Sequence, residues 1–299
     1  MPGDQFMNRN QTENSAGNAP EIASTSLRYT QQFTRVDGHR IAYIDEGEGP
    51  PLLLIHGIPS NGLMWREVIP ELSKHFRVIA PDLLNYGQSE MPESADVSIN
   101  AQQRILFGLL DSLGIRRANV VAHDIGGGVA QLMAVEKPER IDQLVLIDSV
   151  CFDSWPIPEF EPLQKHGAEA DMGLDDFVEM IRGFLPKGVV DPQVMTKSVI
   201  ELYTKPWSTE KGKKAFFRNL RRLNSEYTLA ISDTLSQLPH STLIIWGEKD
   251  TFQKPEYGPR LEKAIPNSKL TVIDDVGHFL LEEKPTEISE LILNFLIRR

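Results

Sequence analysis

From about residue 28 onward, short apolar runs alternate with amphipathic stretches. "HRIAYIDEG" (39–47) alternates apolar and polar positions as a half-buried strand does, and "PPLLLIHG" (50–57) is a short buried run closed by turn residues. "FRVIAPD" (76–82), "ANVVAHD" (118–124), "IDQLVLID" (141–148), "STLIIWG" (241–247) and "KLTVID" (269–274) repeat that form. Continuous Val, Ile and Leu runs ending at Gly or Asp predict strands buried on both faces, hence a mostly parallel sheet. Between them the spacing predicts helices over 62–73, 99–114, 125–137, 255–264 and 284–298. In the third, Ile125, Val129, Leu132 and Met133 share one helical face. Strands alternating with helices define an α/β doubly wound architecture.

One interval breaks the alternation. Residues 151–235 hold no convincing strand but show helical patterns, "LDDFVEMIRGFL" (174–185) and "KKAFFRNLRRLNSEYTLAI" (213–231), punctuated by prolines. Such a stretch is too long for an ordinary connection. It reads as a helical cap inserted between two strands of a core built from 27–150 and 236–299. Ligands in open α/β sheets bind beyond the carboxyl ends of the strands, and an insertion leaving from there would roof that site. Residues 1–26, rich in Asn, Gln, Ser and Gly, read as a disordered extension.

Composition narrows the function classes. The chain has 299 residues, 40% hydrophobic, and a formal charge of -11. That charge, with no basic stripe, argues against nucleic acid as a partner. Nothing approaches the roughly 18 consecutive apolar residues of a membrane span. Cys151 is the only cysteine, and the first residues lack the basic start and apolar stretch of a secretory signal, so a cytoplasmic location is expected. No Gly-rich phosphate loop or metal-ligand cluster is present, and no cofactor is implied. The oligomeric state is not encoded in any motif.

Four strand ends carry residues capable of chemistry: His56, Asp124, Asp250 and His278. In "VVAHDIGGGVA" (120–130), small residues lie two before and two after Asp124, as a sharp strand-to-helix turn requires. The following helix would point its N-terminal amides at the site. A plainer role for Asp124 is to cap helix 125–137. Asp250 in "IIWGEKD" follows a strand, and His278 in "DDVGHFLLEEKP" lies between the last strand and the last helix. An acid, a second acid and a histidine, each at a strand's carboxyl end, converge better on a catalytic site than on capping.

These segments resemble the α/β-hydrolase fold, and specifically its branch with an aspartate nucleophile, the epoxide hydrolases and haloalkane or haloacetate dehalogenases. The resemblance runs from about residue 28 to 299, through "HGIPSNGLMWR" (56–66), "PDLLNYGQS" (81–89), "AHDIGGG" (122–128), "WGEKD" (246–250) and "GHFLLEEKP" (277–285). It implies Asp124 as nucleophile, His278 as base, Asp250 as the acid orienting it, and the backbone amides of Ile58 and Ile125 as the oxyanion hole. A carboxylate can displace a leaving group at saturated carbon to give an alkyl ester, which water activated by the histidine then hydrolyses. The substrate would be a small apolar organic molecule.

The leaving group separates the subclasses. Haloalkane dehalogenases usually place tryptophan after the nucleophile and often Asn after the His-Gly pair; here Ile125 and Ile58 offer no side-chain donor. Haloacetate dehalogenases place arginines at the positions of Ile125 and Gly128. Epoxide hydrolases use tyrosines from the cap as acids, which points to Tyr227 and, second, Tyr203, although either could simply pack the cap. "HGIP" also fits the epoxide hydrolase pattern, whereas Ile125 departs from it, tryptophan being common there. Epoxide hydrolysis therefore leads, haloalkane or haloacid dehalogenation is the alternative, and a ligand receptor or cofactor-free oxygenase on the same fold stands behind both. Trp155 is a candidate for the pocket wall, Trp65 for the core, and Asp148 an alternative acid. His56 is expected to brace its loop, and His123 to point away from the site by strand alternation.

Overall fold

In the computed structural model, which describes residues 29–297, eight strands form one sheet. They are β1 (Gln32–Val36), β2 (His39–Glu46), β3 (Pro51–Ile55), β4 (Arg77–Pro81), β5 (Ala118–His123), β6 (Ile141–Ile147), β7 (Thr242–Gly247) and β8 (Ser268–Ile273). Their order across the sheet is β1-β2-β4-β3-β5-β6-β7-β8. β2 runs antiparallel to both neighbours, and every other pairing is parallel. Every residue of β5 and β7 is buried, as expected of strands covered on both faces. The extension read at 1–26 lies outside the described residues.

The helices are α1 (Ile69–Leu72), α2 (Ile99–Ser112), α3 (Ile125–Glu136), α4 (Leu174–Phe184), α5 (Lys197–Thr204), α6 (Glu210–Leu220), α7 (Glu226–Ala230), α8 (Tyr257–Ala264), α9 (Leu280–Glu283) and α10 (Pro285–Ile297). This is the α/β-hydrolase fold expected from the sequence. The predicted helix over 62–73 is instead a 3-10 turn, Gly62–Trp65, followed by the single turn α1. Pro70 at the start of α1 has no N–H to continue a helix from the preceding turn. β1 was not legible as a strand. "QFTRV" is largely exposed and lies at the sheet edge, so burial imposes little apolar pattern on it. The hairpin turn Asp37-Gly38, with φ of 49° and 83°, was the available signal.

Between β6 and β7 the chain forms only helices and turns, α4 to α7 among them. This segment is tied to the sheet by polar contacts as well as by apolar packing. Asn85 donates to the carbonyl of Ala215 and to Asn219, and Arg218 donates back to Asn85. Trp207 donates its indole proton to the carbonyl of Pro59 across 2.9 Å. No helix among the described residues is long and apolar enough to cross a membrane.

Candidate active site

The carboxyl ends of β3, β5, β7 and β8 converge, as ligand sites in open parallel sheets do. Asp124 sits between β5 and α3 with φ 53° and ψ -123°. An L-residue rarely holds such a conformation, which costs on the order of 1–3 kcal/mol and persists where the surroundings over-determine it. Here they do. A Cβ on Gly126 would lie 2.6 Å from the carbonyl oxygens of Ile55 and His56, so α3 can approach β3 only through glycine. Asp124 makes no side-chain cap to α3. Its Oδ1 instead accepts the Ile58 N–H across 3.0 Å, and the Ile125 amide lies close to the carboxylate. Burial raises the Asp124 pKa; the positive charge of His278 and the two amides oppose that rise without cancelling it.

His278 is buried, and its Nδ1–H donates to Asp250 Oδ2 across 2.8 Å. The other oxygen of Asp250 accepts the N–H groups of Phe252 and Gln253 at 2.7 and 2.9 Å, so the carboxylate is fixed at both ends. Nε2 of His278 lies 3.8 Å from Asp124 Oδ2, too far for a hydrogen bond. Burial lowers the His278 pKa, but the charge and hydrogen bond of Asp250 and the charge of Asp124 outweigh it, and the net shift is upward.

Around these groups lies a narrow pocket of ≈ 340 Å³. Ile58, Ile125 and Val150 form its floor, while Trp155, Ile157, Phe160, Phe184 and Leu223 come from the segment between β6 and β7. Phe184 of that segment stacks on Phe252 of the core with ring centroids 4.5 Å apart. Apart from Asp124, His278 and the Trp155 indole, whose N–H is taken by Thr228 at 2.8 Å, the polar side chain in the wall is Gln253. Nothing in the sequence marked Gln253 or Thr228; proximity to Asp250 was the only available hint for the first.

The structure brings Asp124, Asp250 and His278 together, with Ile58, Ile125 and Trp155 beside them. It does not bring the two tyrosines to the pocket. Tyr203 is fully buried, and its hydroxyl donates to Glu282, which is paired with Arg66. Tyr227 is half-buried against the core on α7 and does not line the pocket. Asp148 does not bond His278, whose Nδ1 is taken by Asp250: its Oδ1 accepts the Gly247 N–H at 2.8 Å, and its Oδ2 has no partner. Burial and the nearby charge of Asp250 push its pKa well up.

His56 does brace its loop. Its Nε2 accepts the Leu83 N–H at 3.0 Å, so Nδ1 carries the proton it gives to the Gly57 carbonyl. Burial lowers its pKa to about 4, keeping that tautomer neutral. Trp65 is fully buried in the core. His123 lies outside the pocket wall, as alternation predicts, but packs behind His278. His123, Asp148 and His278 place ligand-type atoms within 4.8 Å of one another. His123 Nδ1 and Asp148 Oδ2 are without partners there, while Nδ1 of His278 is committed to Asp250.

A strained turn presenting a buried acid, a histidine paired with a second acid, and an amide bonded to the first thus lie together at the carboxyl ends of the strands. The chain belongs to the alpha/beta hydrolase fold family, whose model matches residues 50–196 and 185–285. It is 30% identical over 290 residues to a 2-hydroxymuconate semialdehyde hydrolase of Pseudomonas sp. (strain CF600), covering 95% of this chain and 96% of that protein. It is 29% identical over 266 residues to haloalkane dehalogenase 2 of Mycobacterium tuberculosis, covering 85% and 90%. Among solved structures it is similar to the epoxide hydrolase CorEH, with a TM-score of 0.78 and 26% identity, covering 90% and 98% of the two chains.

Proposed function

We propose that this hydrolase works through a covalent alkyl ester on Asp124, with epoxides as its substrate class. The observation that carries the reading is the inequivalence of the two Asp124 oxygens. Oδ1 already accepts the Ile58 amide that would stabilise an oxyanion, leaving Oδ2 as the attacking atom. In the first step Oδ2 attacks a ring carbon and becomes the ester oxygen, the carbon–oxygen bond of the ring breaks, and the alkoxide so released takes its proton from solvent. In the second, His278 takes a proton from water, the water oxygen attacks Cγ, and the oxyanion forms on Oδ1 facing the Ile58 amide; it then collapses, the Cγ–Oδ2 bond breaks, and the imidazolium gives its proton to the departing Oδ2. Asp250 stabilises the imidazolium. His278 need not deprotonate the nucleophile, consistent with the 3.8 Å between Nε2 and Oδ2.

Ile58 and Ile125 present no side-chain donor to a halide, which favours a strained ring over a carbon–halogen bond. One observation supports haloalkanes as a second reading. With Tyr203 bonded to Glu282 and Tyr227 outside the wall, the pocket holds no phenol to protonate an alkoxide, and a halide needs none.

A single turnover in heavy-oxygen water, with styrene oxide and with 1-bromobutane, tests both. The expected result is label in the Asp124 carboxylate and ordinary oxygen in the product diol or alcohol. Label entering product directly would overturn the ester mechanism. No adduct with either compound, even in His278→Gln, would favour a receptor or an oxygenase.

A further inference from the structure

We infer that the side-chain carbonyl of Gln253 is the polar anchor of the pocket, accepting a hydrogen bond from a hydroxyl or N–H group on an otherwise apolar substrate. The inference deepens the proposed function, on which its catalytic meaning rests. Gln253 is 2% exposed and lines the pocket beside His278, yet its Oε1 has no hydrogen-bond partner among the described residues. Buried side-chain amides are nearly always paired, and an unpaired one is a cost that needs a reason. Folding does not supply it.

The structural work at this position is done by the main chain. The Gln253 N–H donates to Asp250 Oδ1 at 2.9 Å, and its carbonyl accepts the Trp246 indole N–H at 2.8 Å. Leucine or methionine would make both contacts and bury no orphan. The remaining wall is aliphatic and aromatic, with the Trp155 N–H already bonded to Thr228. A ligand hydroxyl entering this pocket therefore loses water and can recover a hydrogen bond by donating to Gln253 Oε1. The root of that amide is fixed by the same carboxylate that orients His278, so anchor and base share one frame. The substrate class this selects is an apolar body that carries one hydroxyl or N–H donor besides its reacting group.

The test is equilibrium binding of 1-hexanol and of n-hexane, neither of which has a leaving group, followed by tryptophan fluorescence and calorimetry, in the intact chain and in Gln253→Met and Gln253→Leu. The expected result is hexanol affinity at least tenfold weaker in both variants, hexane affinity changed by less than threefold, and a higher Tm. The rise in Tm follows from removing an unpaired buried amide, and it separates lost recognition from lost fold. Hexanol affinity unchanged in both variants overturns the inference, as does an equal loss for both ligands. Because the assay needs no turnover, failure to form an Asp124 adduct would sink the proposed function and leave this result standing.

Discussion

His123 donates its Nε2 proton to the main-chain carbonyl of His278 across 2.8 Å, and the two rings lie 4.6 Å apart. Burial, reinforced by the charge on His278, holds the His123 pKa well down, so this donor stays neutral and its tautomer fixed. A side chain outside the pocket thus sets the height of the base. His123→Phe keeps a ring there and removes the donation. We expect a stability loss of about 1 kcal/mol, the typical worth of one hydrogen bond. Ester hydrolysis should slow several-fold while ester formation is unchanged. Rapid-quench mass spectrometry of the Asp124 adduct resolves the two steps.

The pH dependence follows from which charges surround His278. In the free enzyme its pKa stands above the ordinary 6.5, with Asp250 and Asp124 overcoming burial. Esterification neutralises Asp124 and removes one of the two raising charges. The imidazole is therefore more acidic in the covalent intermediate, where a neutral base is required. Hydrolysis of the adduct should titrate at a lower pH than His278 in the resting enzyme, measured by imidazole NMR. Asp124→Asn should lower the resting value in the same direction. For folding, the raised pKa contributes stability that is complete below 6.5 and is lost as pH climbs through the folded value.

Asp148 gives the opposite use of a buried acid. Its raised pKa means that the fold favours the protonated carboxyl, so its contribution is lost as pH rises through the folded value. Asp148→Asn keeps the acceptor for Gly247 and carries no charge. It should raise Tm at neutral pH, with the gain growing as pH increases, and it should retain turnover. Asp250→Asn, by contrast, should stop hydrolysis of the adduct. Thermal melts across pH, paired with turnover, separate the two acids.

Gly57 controls how closely the loop carrying Ile58 approaches Asp124, the proposed nucleophile. A Cβ there would lie 2.5 Å from Asp124 Cβ and 2.6 Å from Oδ1. Gly57→Ala must displace the Ile58 amide or the carboxylate. Turnover should fall about a hundredfold or more, the scale of losing one oxyanion donor. Normal turnover in a folded Gly57→Ala variant would remove Ile58 from the site.

Tyr203→Phe tests the place the structure gives that phenol. Loss of the bond to Glu282 leaves the Arg66 pair intact, so stability should drop by about 1–2 kcal/mol while turnover changes by less than twofold. A large loss of turnover at unchanged Tm would return Tyr203 to the reaction.

The parallel strands were legible because burial on both faces writes continuous apolar runs, as in β5 and β7. The edge strand β1 was not, since exposure removes that constraint. Asp124, Asp250 and His278 could be read because each ends a strand, and strand ends meet by topology alone. The tyrosines could not be placed, because between β6 and β7 no sheet register fixes where a side chain points. Gln253 stayed silent for another reason. Its distinguishing property is a missing partner, which only coordinates reveal.

The Trp155 indole donates to Thr228, 73 residues further along the chain, and the Thr228 hydroxyl donates in turn to the Phe152 carbonyl at 2.6 Å. The start and end of the helical segment are thereby clasped at its base, beside the pocket wall. Closing a longer or shorter loop on such a clasp changes its entropy only logarithmically. Residues between the clasped ends are then free to vary in length, and new specificities could be grafted there with Trp155 still facing Asp124.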